Sequence, residues 1–260
     1  MAEKLAKANQ SIEKALQIIE IMADSREPMR LQDIAQQSGI PASTCLRMLT
    51  TLKNGGYVLQ DRVSLRYSLS LKFAQIGSLV KRRINLQGIA HPYLTELAIK
   101  CRESSCIAIQ QEMEVVYIDV EDGPDNMLQI LQRIGKRAPM HCTGVGKVML
   151  TDYDDAAIDS YIARKGLPQV TEHTLTTREA LVEELARIRQ QGYAIDNEEC
   201  ELGARCIATG IRDYTGNIVA GLSVSGPISR MSFERIEEIR PILLGIAADL
   251  SGQLSYHKAL

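Results

Sequence analysis

Apolar positions in the first third of the chain recur at helical spacing in three successive stretches. Ile12, Ala15, Leu16, Ile19 and Met22 form one stripe on a helix over residues 11–22, which Arg26-Glu27-Pro28 ends because proline cannot continue the hydrogen-bond ladder. Ser11 with Lys14 supplies half of a capping box at its start. Leu31, Ile34 and Ala35 give a short second helix its apolar face, broken at Ser38-Gly39, where glycine takes a left-handed conformation at little cost. Pro41 is pre-set for the first turn of a third helix, with Ser43 or Thr44 as its cap. Cys45, Leu49 and Leu52 fall on one side of that helix, with Leu46 and Met48 flanking, while Ser43, Thr44, Arg47, Thr50 and Thr51 lie mostly elsewhere. Gly55-Gly56 stops it. The period then shortens to two, and residues 57–59 and 67–69 read as the strands of a wing around Asp61-Arg62-Val63-Ser64.

Two short helices joined by a glycine turn, the second presenting small hydroxyls and an arginine, are what reading a DNA major groove requires. Short side chains near the start of the second helix allow close approach to phosphates, and arginine can fork onto guanine O6 and N7. Ser43, Thr44, Arg47, Thr50 and Lys53 are therefore the expected groove-facing residues, with Arg62 and Arg66 on the wing meeting the DNA backbone.

Beyond the wing, Leu71, Ile76, Leu79 and Val80 continue a helical stripe over residues 71–83, ending in the basic triplet Lys81-Arg82-Arg83. A further helix covers Leu86–Cys101, with Pro92 near its start. The pattern then alternates between strands and helices. Residues 106–110 and 115–120 read as a hairpin around Glu112-Met113-Glu114, and residues 127–133 as another strand. Helices follow at 154–164 and Arg178–Gln191, strands at 193–195, Ala204–Arg212 and 218–225, and a closing helix at 233–254. Helices flanking an antiparallel sheet make an α+β domain, an architecture that lends itself to small-molecule pockets.

Charge sharpens this division. The net charge is −2 over 260 residues, but residues 1–84 hold 13 Lys and Arg against 7 Asp and Glu, and the remainder 17 against 25. A basic head on an acidic body places the contact with a polyanion on the head alone. No apolar run approaches the ~20 residues of a membrane span, and the charged start MAEKLAKANQSIEK lacks the apolar stretch of a signal peptide. The expected location is the cytoplasm, with no membrane partner. The six cysteines are scattered without CxxC spacing, as reduced thiols rather than a disulfide framework.

Candidate chemistry in the body is sparse. Thr143-Gly144-Val145-Gly146-Lys147 fails as a P-loop, which needs glycine at His141 and Ser or Thr at Val148. It reads instead as a turn opening a helix near Gly146, with N–H groups free to hold a carboxylate or phosphate. Cys206 follows Gly203 within an apolar strand, where a thiol serves more often as a small hydrophobe than as a nucleophile. His141, Cys142, Asp196, Cys200 and Cys206 would supply zinc ligands only if the fold gathered them, since no spacing indicates it. Ser223 and Ser225, two apart on a strand, face one side and need partners if buried. With Asp196 and the Gly144 turn they outline a pocket for a small polar molecule.

At this point four blocks in order, LQDIAQQSGIPASTCLRMLTTLKNGGYV, PMHCTGVGKVML, DNEECELGARCIATGI and GLSVSGPISRM, resemble the IclR family of bacterial regulators over nearly the whole length. The resemblance implies an α+β fold class with three parts. These are a winged helix-turn-helix DNA-binding domain over 1–69, a linker helix over 70–84, and a GAF/PAS-like effector-binding and oligomerisation domain over 85–260. It further implies operator binding as a homodimer or dimer of dimers, and a response to small organic acids or aromatic and sugar-acid catabolites. Carried over by position, the effector pocket is lined by Met127, Ile130, Ala138, Gly144, Val145, Asp196, Ala204, Cys206, Ser223 and Ser225. The expectation is a DNA-binding regulator, repressor or activator, switched by a small organic effector, with no catalytic residues, no cofactor and no resident metal. A metal-sensing regulator and a thiol enzyme using Cys206 or Cys142 are the alternatives.

Overall fold

The computed structural model describes residues 9–81, 85–123 and 134–256. The expected strand over 127–133, the effector candidates Met127 and Ile130, and Arg82-Arg83 lie outside the described residues. The chain divides into two compact units, residues 1–84 and 85–260.

In the first unit, α1 (Gln10–Asp24) starts at Asn9, not Ser11: the Asn9 side-chain oxygen accepts from the N–H groups of Ser11 and Ile12. Its buried face is Ile18 and Met22, rotated from the expected stripe: Met22 of that stripe is buried, Ala15 and Ile19 are half-buried, and Ile12 and Leu16 stay exposed. The apolar positions cover a broad arc of the helix, and the expected stripe was centred to one side of the buried face and left out Ile18. After α1, α2 (Leu31–Ser38) ends at Gly39 with φ +65°. α3 (Ala42–Asn54) has Pro41 at its N-cap and no side-chain cap, which corrects the expectation for Ser43 and Thr44: both lie inside the first turn. The turn between α2 and α3 is held by Ser38, whose buried hydroxyl donates to the Ile34 carbonyl at 2.7 Å and accepts from Ile40 N–H at 3.3 Å. Ile18, Met22, Ile34, Cys45, Leu49, Val58 and Tyr67 form the core of this unit.

The wing strands β1 (Val58–Gln60) and β2 (Tyr67–Leu69) pair antiparallel, Val58 opposite Leu69. Tyr67 also exchanges both backbone hydrogen bonds with Met29, so the loop before α2 extends the wing. α4 (Lys72–Lys81) carries the expected apolar stripe, yet Ile76, Leu79 and Val80 are exposed along it, as is Leu71 just before it.

The second unit is one six-stranded antiparallel sheet between two helical layers. The strands are β3 (Ser104–Gln111), β4 (Glu114–Glu121), β5 (Arg137–Ala138), β6 (Ala194–Asn197), β7 (Ala204–Arg212) and β8 (Ile218–Pro227). Their order is β5-β4-β3-β8-β7-β6. Alternation along the strands sorts the core. Ile107, Ile207, Leu222 and Val224 face a layer made of α5 (Leu86–Cys101) and α9 (Phe233–Gln253). The opposite face packs against α6 (Gly144–Leu150), α7 (Asp155–Lys165) and α8 (Arg178–Gln191) through Cys106, Ala108 and Ala208. Glu112 and Met113 join β3 to β4 with positive φ at both residues, the backbone of a tight hairpin turn.

α6 lies on the sheet almost backbone to backbone. A Cβ on Gly144 would stand 2.8 Å from Cys206 Sγ and 3.1 Å from Ala208 Cβ, and one on Gly221 would stand 2.7 Å from Val145 Cβ. Lys147 points down from this helix and is fully buried. Its Nζ donates to Glu199 Oε1 (2.5 Å), the Ile195 carbonyl (2.7 Å) and Glu184 Oε1 (3.0 Å).

Candidate nucleic-acid interface and effector cavity

On α3, Ser43, Arg47 and Thr50 are exposed at i, i+4 and i+7, which places them on one solvent face opposite Cys45 and Leu49. Thr44 sits half-buried on one flank of that face and Lys53, exposed, on the other. Thr50 donates its hydroxyl proton to the Leu46 carbonyl at 2.7 Å, and Thr51 donates to that of Arg47 at 3.0 Å. Thr50 is therefore left as an acceptor on this face, suited to a base amino group and not to a phosphate oxygen. Lys53 Nζ donates to Gln60 Oε1 at 3.0 Å, linking the end of α3 to the wing.

The two wing arginines separate. Arg62 is exposed at the tip. The half-buried Arg66 donates from Nη1 to the Pro28 carbonyl at 2.8 Å, so part of its donor set holds the wing to the loop before α2. Asp61 orders the tip: its Oδ1 accepts from Val63 N–H, Ser64 N–H and the Ser64 hydroxyl at 3.2, 2.7 and 2.7 Å. Those bonds, Ser64 foremost, hold the Asp61 carboxyl below its ordinary range.

In the second unit, eight of the ten residues expected around an effector surround one cavity of about 270 Å³. β8 contributes Ser223 and Ser225, β7 Ala204 and Cys206, β6 Asp196 and β5 Ala138, while Gly144 and Val145 come from α6. Both serines are buried, and Ser223 Oγ lies 3.0 Å from Cys106 Sγ. Tyr117, Lys136, Arg137 and Arg205 also line the cavity and were not singled out in the sequence, whereas Thr143 and Cys200 were noted there only in the glycine turn and the zinc set. Strand alternation could have found Tyr117, but the loop residues carry no periodic signal.

The turn before α6 differs from its expected use. The Thr143 hydroxyl accepts from Gly146 N–H at 3.2 Å, and Lys147 N–H donates to the Thr143 carbonyl at 2.9 Å. The Gly144 N–H is directed to the Cys206 sulfur. The N–H groups of Gly144, Gly146 and Lys147 are thus spent within the fold.

Of the two acidic side chains that line the cavity, Asp196 is buried and Glu201 exposed. Asp196 belongs to β6 itself and does not follow the strand, as the pattern implied. Its Oδ1 accepts from Glu199 N–H at 2.8 Å and Cys200 N–H at 3.3 Å. Burial, then the nearby Glu199 carboxylate, push its carboxyl up to about 7, against the opposing pull of Lys147. Burial also raises the thiols, Cys106 to about 12 and Cys206 well above its ordinary value. At neutral pH the cavity therefore presents hydroxyls, the neutral Cys206 thiol and the Asp196 carboxyl near its midpoint, with Glu201 among the lining residues. Arg137 is paired with Glu112 and Glu114. Arg205 is bonded to Asn197 and to the Met231 carbonyl. Neither Arg205 nor Lys136 has an ion pair among the described residues, and of the basic lining residues only Lys136 has no side-chain hydrogen bond among them.

The metal-sensing and thiol-enzyme alternatives find no support here. His141 is fully buried with Nδ1 against the Tyr161 hydroxyl (3.3 Å) and Nε2 against the Pro168 carbonyl (3.1 Å). Among the described residues no three His, Cys, Asp or Glu side chains converge as metal ligands. The raised Cys206 and Cys142 thiols are poor nucleophiles.

Comparison with known proteins gives both units relatives. Residues 79–252 match the family model described as bacterial transcriptional regulator IclR C-terminal, and residues 11–62 the IclR helix-turn-helix domain. The chain is 35% identical over 247 residues to the HTH-type transcriptional regulator KdgR of Escherichia coli K12, covering 95% of this chain and 93% of that protein. It is 33% identical over 244 residues to the transcriptional repressor IclR of the same organism, covering 93% and 89%. Among solved structures, IclR of Thermotoga maritima aligns with a TM-score of 0.64 at 30% identity, covering 95% of this chain and 99% of that one. No helix among the described residues is long and apolar enough to cross a membrane. With a helix-turn-helix head, an α+β body enclosing a polar cavity, and relatives that are transcription regulators and not enzymes, this chain belongs to the IclR family of bacterial transcription regulators.

Proposed function

We propose that the chain reads its operator with the exposed face of α3, and releases or grips it according to whether a small organic carboxylate fills the cavity of the second unit. Ser43, Thr44, Arg47, Thr50 and Lys53 contact the major groove, Arg62 meets the DNA backbone, and Arg66 does so with the donors that Pro28 leaves free. The observation that carries the effector half is the cavity itself. At about 270 Å³ it lies just below the ~300–1,000 Å³ of sites for drug-sized ligands. Its floor offers the hydroxyls of Ser223 and Ser225 beside the part-protonated Asp196, donors suited to a small acid. A ligand shifts operator affinity only by binding one arrangement of the protein better than another.

A second copy of the chain is the expected partner, as homodimer or dimer of dimers. Leu79 and Val80 on α4 and Ile12 and Leu16 on α1 are exposed apolar residues that an obligate partner would cover. The protein then acts in the cytoplasm on a near-palindromic site, and repression is the sign favoured by the relatives' names.

Two measurements test this. Fluorescence anisotropy with operator and random duplexes should show Arg47→Ala relaxing sequence preference, and Arg62→Ala weakening both duplexes while lowering the salt slope by about one. Arg47→Ala discriminating as the parent does would remove α3 as the reading helix. A thermal-shift screen of carboxylates should find a ligand that raises the melting temperature of the parent and not of Ser223→Ala/Ser225→Ala. A hit that stabilises both equally would place the effector elsewhere.

A further inference from the structure

One large apolar side chain sits among the polar ones on the solvent face of α3. Leu46 is 44% exposed. Round the helix it stands about 60° from Ser43, about 40° from Thr50 and about 20° from Lys53. All three are exposed, so Leu46 lies between Thr50 and Lys53, within the arc they define. The core of the first unit is on the other side of the helix, at Cys45 and Leu49. The apolar groove that α3 shares with α1, lined by Ile12, Leu16, Ile19, Met48 and Leu52, opens on the Thr44 flank, and Leu46 is not part of its lining. A partner covering Ile12 and Leu16 would thus leave Leu46 in the open.

We propose that Leu46 is a specificity-determining residue that packs on the C5-methyl group of one operator thymine; the assignment rests on α3 being the reading helix. In the major groove that methyl is the apolar element of the code, set among acceptors such as guanine O6 and N7 and the amino donors of adenine and cytosine. Leucine neither donates nor accepts. Over thymine it buries one apolar group against another. Over an amino group or a purine N7 it would displace water and leave a polar edge without a partner, which costs affinity.

The neighbours of Leu46 cover the other chemistry. Arg47 brings donors suited to guanine. Thr50, its proton committed to the Leu46 carbonyl at 2.7 Å, brings an acceptor. Lys53, joined to Gln60 at 3.0 Å, bounds Leu46 on the wing side. Donor, acceptor and apolar contact therefore lie side by side on one helical face, and each rejects a different base. The apolar one has a signature of its own. Replacing thymine by deoxyuridine removes the methyl and leaves every hydrogen-bonding group in the groove unchanged. A methyl buried against an apolar side chain is worth about fourfold in affinity.

The test uses the full-length protein and a duplex it selects from a random pool. Each thymine of that duplex is replaced in turn by deoxyuridine, and fluorescence anisotropy measures the affinities. The parent should bind one of the substituted duplexes about fourfold more weakly than the thymine form. Leu46→Ala should bind that pair alike, with a melting temperature close to the parent's, since the side chain lies outside the core. Leu46→Met, which keeps an apolar side chain of similar reach, should retain the difference. If the parent tolerates deoxyuridine at every thymine, or the difference survives in Leu46→Ala, the assignment of Leu46 is overturned, while α3 stays in the groove as long as Arg47→Ala relaxes sequence preference. If selection yields no preferred sequence, or Arg47→Ala discriminates as the parent does, α3 is not the reading helix and this proposal falls with it.

Discussion

Replacing Lys147 by methionine tests how the wall of the effector cavity is held. The parent Nζ sits among two carboxylates and a carbonyl with no exposure to water. Glu184 keeps a second cation when Lys147 is lost, because Arg187 donates to its other oxygen at 2.9 Å. Glu199 keeps none, and its Oε2 is already buried without a partner among the described residues. The cost therefore falls on Glu199, and breaking one side of a buried pair costs about 3–5 kcal/mol. At roughly 2–4 °C per kcal/mol for a unit of this size, melting should fall by roughly 6–20 °C.

The same geometry fixes the pH dependence. Burial already raises the Glu199 carboxyl, with Lys147 opposing, so losing the cation raises it further. A carboxyl raised in the folded state penalises folding above that raised value, and the penalty disappears as acid protonates it. The destabilisation by Lys147→Met should accordingly be largest at pH 8 and shrink toward pH 5. Urea unfolding followed by circular dichroism at both pH values measures it, and Lys147→Met/Glu199→Met should recover more than half the loss. A cost below about 1 kcal/mol at pH 8, or an equal cost at both pH values, would refute the assignment of Lys147 as the buried clamp of α6.

Two other outcomes follow from the same wall. Gly144→Ala should destabilise by about 1–3 kcal/mol through overpacking against Cys206 and Ala208, and Cys206→Ala added to it should return part of that loss in the melting curve; strict additivity would sink the contact. Asp196, raised to about 7, should favour folding below about pH 4, with that contribution lost as pH rises through 7; Asp196→Asn should flatten the melting temperature between pH 5 and 8, and an unchanged slope would assign it to another group.

Much of the fold was legible because single helices and strands carry their own periodicity. The Arg178–Gln191 helix and the Ala204–Arg212 strand agree with the pattern to the residue. α1 was misread in rotation at one edge because Ile12 and Leu16 are as apolar as the buried Ile18, and composition does not say which face has a neighbour. The cap of α3 was misplaced because hydroxyl residues are good caps in general, whereas proline at position 41 left the first turn to start at Ala42. In the site, Asp196 and the two serines could be placed from strand period. Lys147 could not: a lysine beside glycines reads as a phosphate ligand or a surface residue, and its carboxylate partners lie 37 and 52 positions away.

The hydrogen bonds that Asp61 makes inside the wing have a consequence for how DNA is met. A loop that must become ordered on binding loses conformational freedom at that moment, about 1–2 kcal/mol for each backbone residue fixed. Here the tip is already closed on itself, its neighbour Arg66 is tethered to Pro28, and Arg62 rides on a rigid support. The ordering cost was met when the chain folded. Encounter with a duplex then becomes a problem of placement, in which spacing along the double helix, and not induced shape, decides where the wing can land.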